Sequence, residues 1–431
     1  MAEMPGFSDR KLGRPFTQIA REGSRACPRR GQLPLAAGRT PNFRRGMAAP
    51  ADTPAVVPSV PVARDAGRLS QWALMRRRFG QHRLAVAAGF VLAVLYVLAA
   101  GAEFFAPHSR QWRDLSHAYC PPQLPRFSFA LGWHVLAMHR VEDPVTFKKT
   151  YLEDPARPVA LGFFVRGEAY KLWGLVPLER HFFGMKPAAP PVVETGGPRP
   201  TVYFLGADKY GRDIFSRLVH GARISLSVGL VAIAATFVLG VVIGGVSGYC
   251  GGATDVAIQR LIEVVNAFPQ VPLWLAFGAV LPPEWPPLFG YFAITLVLSL
   301  LGWTALARVV RGKILALREE DYATAARLLG ASHGRILFRH LLPGVASHII
   351  VVLTMSVPAM ILGETSLSFL GLGLRAPIVS WGVMLQDCAN IQTVANYPWL
   401  LMPVVFVVLT VLCFNFLGDG LRDAADPYSN R

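Results

Sequence analysis

The chain has 431 residues, of which 52% are hydrophobic and only 16% charged, and its mean hydropathy is +0.38. Soluble proteins carry about a quarter of their residues as charged side chains, so this composition excludes an ordinary soluble multidomain protein. The net charge of +16 would suit nucleic acid, but 16 basic against 5 acidic residues lie in positions 1–83, and that clustering before the first apolar stretch argues against such a partner.

Six apolar stretches that are almost free of charge predict an all-α integral membrane protein. About 20 residues at a rise of 1.5 Å cross a hydrocarbon core of about 30 Å. The third stretch is the least regular because Pro269 and Pro272 interrupt it. The six predicted transmembrane helices lie near 84–105, 224–248, 262–281, 288–308, 345–370 and 399–418.

Residues 1–80 are basic and rich in Arg, Pro, Ala and Gly, which is typical of a disordered arm. Translation could begin at Met1 or at Met47. The first transmembrane helix is predicted over 81–106. It is too long, and begins too late, to be a cleaved signal peptide.

Residues 107–223 form the one large extramembrane insert. The insert is rich in aromatic residues and proline, which predicts a compact, irregular subdomain outside the membrane. Its histidines are scattered, so we interpret them as packed or surface side chains and predict no metal site. Cys120 would face the same side as Cys388, and the sequence leaves open whether the two pair.

Residues 224–418 are predicted to form a five-helix core with a polar loop over 309–343. Residues 308–343 hold seven Lys and Arg, whereas the short loops on the other side contain only Arg375 as a basic residue. This positive-inside asymmetry places the loop and the amino terminus in the cytoplasm. Six spans return the tail, 419–431, to the same side.

Three glycines at Gly-x-x-x-Gly spacing, Gly240, Gly244 and Gly248, predict a face on which membrane helices approach closely.

The sequence offers no energy source or catalytic group of its own. Gly312-Lys313 lacks the rest of a phosphate-binding loop, and no hydrolase or zinc-protease motif occurs. Glu364 lies inside the fifth predicted span, where an unpaired carboxylate costs roughly 2.5 kcal/mol or more. Two hypotheses stay open for it: it faces an aqueous translocation path, or it makes a structural hydrogen bond.

The polar loop contains a strip, "DYATAARLLGASHGRILFRHLLPG" over 321–344, that predicts two helices around Gly330. Glu319, Glu320 and Asp321 place negative charge at the start of the first helix, where the macrodipole favours it. Gly330 is the predicted C-cap. The apolar positions of the first helix predict a small-residue docking surface at Ala325 and Ala326.

The second helix of the strip is predicted to begin at a capping Ser332 and to stop at Pro343. Ile336, Leu337 and Leu341 share one side of it, and Arg335 and Arg339 share another.

This strip resembles the cytoplasmic signature of permease subunits of ABC importers. Ala325-Ala326, Gly330 and Leu342-Pro343 stand at the matching distances, while Thr324 and His340 depart from the general signature. The strip fits the oligopeptide, dipeptide and nickel branch better. "LGADKYGRDIFSRLVHGARISLSVG" (205–229), "GETSLSFLGLG" (363–373), "SWGVMLQD" (380–387) and "GDGLRDAADP" (418–427) are similar to that branch in the same order.

The resemblance implies a type I ABC importer permease bundle in a bacterial or archaeal cytoplasmic membrane. It implies that the strip is the coupling helix, with contacts to a separate ATPase expected from Glu320, Asp321, Tyr322, Ala325, Ala326, Arg327, Gly330, Ala331, Arg335, His340 and Pro343.

The implied partners are a second, homologous permease, two ATPase subunits that bind ATP and Mg, an extracytoplasmic substrate-binding protein, and membrane lipid. The chain itself would hold no cofactor and catalyse no reaction. Di- or oligopeptides are the expected substrates. The alternatives are nickel or another small solute, or a non-transporting membrane scaffold or sensor.

Overall fold

The computed structural model describes residues 71–142, 144–145, 149–186, 201–282 and 284–425. Residues 1–70 of the predicted arm therefore lie outside the described residues, and so do residues 426–431 of the predicted tail.

The helices, in chain order, are α1 (Gln71–Gln81), α2 (Arg83–Ala100), α3 (Ala102–Phe105), α4 (Ile214–Cys250), α5 (Gly252–Ala267), α6 (Gln270–Val280), α7 (Pro287–Leu317), α8 (Asp321–Leu328), α9 (His333–Arg335), α10 (Leu342–Phe369), α11 (Trp381–Leu385), α12 (Ile391–Asn396) and α13 (Met402–Ala425). A π-helical turn over Ile336–Leu341 joins α9 to α10. Five helices are long and apolar enough to span a membrane, or six spans if the bent pair α5–α6 counts as one. The predicted all-α bundle is confirmed, and its spans follow the predicted order.

The third predicted span is not a continuous helix. The chain turns by 80° between α5 and α6. Phe268, before Pro269, is extended, with φ −87° and ψ 134°, because a proline disfavours helical backbone in the residue before it. The predicted start at 262 was also wrong, since α5 begins at Gly252.

The second span is longer than predicted, because α4 runs for 37 residues from Ile214 and takes in the last ten residues of the predicted insert. Asp213 caps it: its carboxylate accepts the backbone N–H groups of Phe215 at 3.3 Å and Ser216 at 2.9 Å. Such a cap satisfies donors that the first helical turn leaves without a partner.

The insert folds into an antiparallel sheet, so the expected irregular subdomain was wrong. Four strands follow each other in space as they do in sequence: β1 (Arg126–Ser128), β2 (Gly132–Glu142), β3 (Lys149–Leu172) and β4 (Val176–Met185). The pairing shifts register at Leu136/Ala137 and between Arg166 and Tyr170. These irregularities accommodate a 24-residue strand that contains two prolines.

The bundle core is tightest where α4 meets α7. A Cβ added to Gly248 would lie 2.8 Å from the Arg311 carbonyl oxygen, and one added to Gly240 would lie 2.7 Å from the Leu306 side chain. Gly244 packs against the backbone of Ala307 in the same way. The small-residue packing face predicted from the sequence is therefore confirmed.

Candidate functional site

The strip folds into the short helices α8 and α9 and the π-helical turn, at one end of the bundle between α7 and α10. Glu320 is the N-cap of α8 and Asp321 lies in its first turn, where the helix dipole favours negative charge. Gly330, with φ +78°, follows the C-cap. Its N–H donates to the Arg327 carbonyl at 3.0 Å, and the Ala331 N–H donates to the Ala326 carbonyl at 3.1 Å. These two bonds form a Schellman motif, which confirms the predicted role of Gly330 in ending the helix.

One face of the strip packs on the bundle. Ala323 is fully buried, in a cluster that includes Ile314 of α7 together with Ile336 and Leu341 of the π turn. The predicted shared side of the second helix, formed by Ile336, Leu337 and Leu341, thus packs on the bundle. Ala326 and Ala331 are half-buried against the same cluster. Ala326 therefore packs partly against the chain's own core, whereas the predicted docking surface would leave it fully exposed. The reason is that position 326 lies one helical turn from the buried Ala323.

The other face of the strip is open and apolar. Leu328 is 84% exposed, Leu329 88%, Phe338 57% and Tyr322 45%. Two consecutive leucines at a helix end are the signal that could have pointed to this face. The other predicted site residues that lie exposed beside it are Glu320, Asp321, Ala325, Arg327, Gly330, Arg335, His340 and Pro343.

The sequence predicted that Pro343 ends the second helix, and this prediction was wrong. Helical structure runs from His333 to Phe369, with Pro343 in the first turn of α10. The N–H of Leu342 donates to the Leu337 carbonyl, five residues back. This π turn absorbs the hydrogen bond that a proline cannot donate. Ser332 is the N-cap residue of α9, but its hydroxyl makes no capping bond.

Three polar contacts join the end of α4 to the strip and to Arg318, the residue that follows α7. The Arg318 guanidinium donates to the carbonyls of Gly248 at 3.2 Å and Tyr249 at 3.3 Å. The Tyr249 hydroxyl lies 2.9 Å from Nδ1 of His333. The end of α4 therefore contacts both the strip and the end of α7.

Glu364 of α10 lies in the bundle interior and is fully buried. Its carboxyl accepts hydrogen bonds from the hydroxyls of Ser380 at 2.8 Å, Ser368 at 2.9 Å and Ser225 at 3.2 Å. The same three serine oxygens accept backbone N–H groups from Val383, Leu374 and Trp381, respectively. The network, which we call the glutamate–serine hub, joins α4 and α10 to the segment that contains α11.

A second polar group, which sequence reasoning missed, lies at the opposite end of α4. We call residues 205–213 the collar. The Asp208 carboxylate accepts from Arg212 Nε at 2.6 Å and Arg217 Nη1 at 2.8 Å. Lys209 lies 2.9 Å from Asp387, and this contact raises the pKa of Lys209 above its ordinary value. The collar thus binds the insert, α4 and the loop before α12 into one unit.

Histidines and cysteines of the insert are packed. Four of the six insert histidines are buried, and no group of three or more His, Cys, Asp or Glu that could hold a metal occurs within the described ranges. Cys120 and Cys388 are free thiols rather than a disulfide. Burial raises the pKa of Cys120 to about 12 and that of Cys388 to about 11, so both are poor nucleophiles at neutral pH.

Two protein families match parts of this chain. Residues 240–429 match the family described as the binding-protein-dependent transport system inner membrane component. Residues 70–122 match the N-terminal TM domain of oligopeptide transport permease C. A solved chain of the MetNI methionine ABC transporter, in inward-facing conformations, has a TM-score of 0.38 and 18% identity over 48% of this chain and 96% of its own.

Curated relatives are closer in sequence. The dipeptide transport system permease protein DppC of Bacillus subtilis is 40% identical over 56% of this chain and 73% of its own length. The oligopeptide transport system permease proteins OppC of Bacillus subtilis and of Escherichia coli K12 are each 40% identical over 52% of this chain and 72% of their own. This chain therefore belongs to the family of binding-protein-dependent transport system inner membrane components, and it is a multi-pass membrane protein.

Proposed function

We propose that the chain is the permease subunit of an ATP-driven importer of di- and oligopeptides. The open apolar face of the strip carries this proposal, because an exposed patch of large side chains on a rigidly held helix fits a protein partner. The names of the relatives, dipeptide and oligopeptide permeases, support the substrate class. The strip and both termini would lie in the cytoplasm, in keeping with the positive-inside rule.

The chain would form half of the pathway, with a second homologous permease forming the other half. Two separate ATPases would bind ATP and Mg, and an extracytoplasmic protein would deliver the peptide. Leu328 and Leu329 would fill an apolar cleft of the ATPase, while Arg327, Arg335 and Arg339 would contact acidic residues at its rim.

Force would pass from the strip into the bundle through named contacts. Closure of the ATPases on ATP would draw the two strips together. Tyr249, Arg318 and the buried Ala323 would then carry α4 and α7 with the strip. Rotation of these helices would open the pathway outward, and hydrolysis would reset it.

Uptake of labelled peptides tests the transport function. A strain that lacks this chain should lose uptake of di- to oligopeptides and regain it when the chain is supplied. Loss of nickel uptake instead would favour the small-solute alternative. Unchanged uptake of every peptide and of nickel would contradict transport and favour the scaffold or sensor.

Co-purification tests the docking face. Leu328→Glu should abolish recovery of the ATPase subunits with the chain, because it places a charge in an apolar contact. Ile391→Glu is the matched control, since Ile391 is also an aliphatic side chain, is 85% exposed, and lies outside the strip. Equal recovery of ATPase with both variants would exclude docking through Leu328.

The place of Glu364 on the translocation pathway stays a prediction. Cysteine accessibility at position 364 tests it: absence of labelling in every transport state would leave only the structural role.

A further inference from the structure

A group of half-buried and exposed aromatic rings surrounds the point at which α2 ends. Rings from α3, β3 and β4 lie with centroids 5.2–6.2 Å apart. Although they touch each other, two of them remain open: Phe163 is 65% exposed and Phe164 59%. We call this group, Phe104, Phe105, Phe163, Phe164 and Phe182, the exit cluster.

The tip of the β3–β4 hairpin lies at the same level. Trp173 Nε1 donates to the carbonyl of Ala100, the last residue of α2, at 3.0 Å. The guanidinium of Arg223 donates to the same carbonyl at 2.8 Å and lies 5.0 Å from the Trp173 ring. Helix α2 has 18 residues, so it is about 27 Å long and ends close to the boundary of a hydrocarbon core of about 30 Å. The hairpin tip therefore lies at a membrane–water boundary.

The exit cluster continues an exposed stripe of the spanning helix. Phe90 is 70% exposed, Val94 41% and Val97 60%, and their spacing of four and three residues puts them on one side of α2. Phe104 lies seven residues after Val97, in α3, and its ring touches those of Phe164 and Phe182. The apolar stripe that would face lipid in the span is thus followed, after the break in the helix at Gly101, by the aromatic rings of the hairpin.

The hairpin keeps its aromatic residues at a conformational cost. Only three non-glycine residues in the described part of the chain have positive φ, and two of them, Phe164 at +53° and Trp173 at +55°, belong to this surface. Glycine would relieve the strain at such positions. At both positions a bulky aromatic ring is therefore held at this surface by a strained backbone conformation.

The charges of the hairpin suit phosphate groups. Arg166 and Arg180 are directly paired across β3 and β4, and both are exposed. Two like charges in that position repel each other. A lipid phosphate between them would remove the repulsion.

We propose that the β3–β4 hairpin and α3 form an interfacial anchor in the bilayer leaflet on the side of the sheet. Trp173 and the exit cluster occupy the headgroup level, as aromatic residues do at membrane boundaries. Leu175, which is 82% exposed, and Val176, which is 51% exposed, insert toward the acyl chains. The anchor fixes the insert at the membrane surface. The inference rests on the membrane-spanning fold and does not depend on what is transported.

Fluorescence quenching by lipid tests the anchor in the full chain, reconstituted with its partner permease in lipid nanodiscs. Leu175→Cys carries a small fluorophore in a Cys250→Ser background, and the unsubstituted background gives the signal of the other cysteines. Phe129→Cys is the control, because Phe129 is 102% exposed in the turn between β1 and β2. Lipids with a spin label near the headgroup should quench the label at 175 several-fold more strongly than the label at 129.

Two further outcomes separate the occupants of this surface. Equal quenching at 175 and 129 would overturn the anchor and leave the hairpin in water. Quenching at 175 that appears only when the partner permease is absent would overturn it in favour of a protein interface. Trp173→Gly, which relieves strain and removes the ring, should retain the fold and lower quenching at 175, whereas unchanged quenching would contradict the role of Trp173.

Discussion

Removal of the Glu364 carboxyl should destabilise the bundle by an amount that the hub geometry sets. The carboxyl accepts three hydroxyl hydrogen bonds of 2.8–3.2 Å. Side-chain hydrogen bonds inside membrane proteins contribute on average about 0.6 kcal/mol and at most about 1.7 kcal/mol each. Glu364→Ala should therefore lower the free energy of unfolding by about 2 kcal/mol, before any effect of the cavity that it leaves.

Glu364→Gln should cost about a third as much. Its amide oxygen can still accept from Ser368 and Ser380, which share one carboxyl oxygen of Glu364, and only the acceptor that faces Ser225 is replaced. The free energy can be measured by detergent-induced unfolding in mixed micelles, followed by circular dichroism.

Thr410→Val is the control for this measurement. Thr410 is fully buried, and its hydroxyl finds no hydrogen-bond partner among the described residues. The Val variant should be as stable as the parent or more so. If Glu364→Ala also unfolds like the parent, the hub does not stabilise the bundle.

Three further variants address the strip and the collar. Gly330→Ala forces a residue with a side chain to adopt φ +78°, at a cost of about 1–2 kcal/mol. The backbone amides of α8 should therefore exchange hydrogen about tenfold faster in this variant than in Gly330→Asn. Equal exchange rates would contradict the proposed strain. Gly211→Ala would drive a Cβ into the Asp114 carbonyl and should lower the free energy of unfolding by about 3 kcal/mol, so an unchanged Tm would show that the collar yields. Burial raises the pKa of Asp114, but hydrogen bonds from Ser116 and His117 outweigh it, and the pKa lies below its ordinary value. A carboxyl with a depressed pKa stabilises the fold at neutral pH and loses that contribution as the pH falls through the depressed pKa. Asp114→Asn should therefore be less stable than the parent at pH 7 and nearly equal to it once the pH lies below that depressed pKa; a difference independent of pH would contradict this assignment.

Local pattern was enough to predict most of the bundle. Runs without charge identified the spans, and the capping role of Gly330 followed from one residue in a helical period. Periodicity also placed Ile336, Leu337 and Leu341 on one side of the strip's second helix, and that side packs on the bundle. These features depend on residues within about one helical turn of each other, which a sequence displays directly.

Features that depend on distant partners escaped prediction. Glu364 meets Ser225, which lies 139 residues away, and nothing near either residue marks the pair. The sheet was missed because Pro155 and Pro158 interrupt the alternation expected of a strand. The orientation of Ala326 depends on the neighbouring Ala323 being the better fit to the cluster beneath α8.

The uninterrupted length of α4 has a mechanical consequence. Its 37 residues make a rod about 55 Å long. At one end the Tyr249 hydroxyl contacts His333 of the strip, and at the other end the ring of Phe215 packs against Phe183 of β4. If α4 tilts by a few degrees about the end near the strip, its far end is displaced by several ångströms. The position of the sheet would therefore report small movements of the strip on the opposite side of the bilayer.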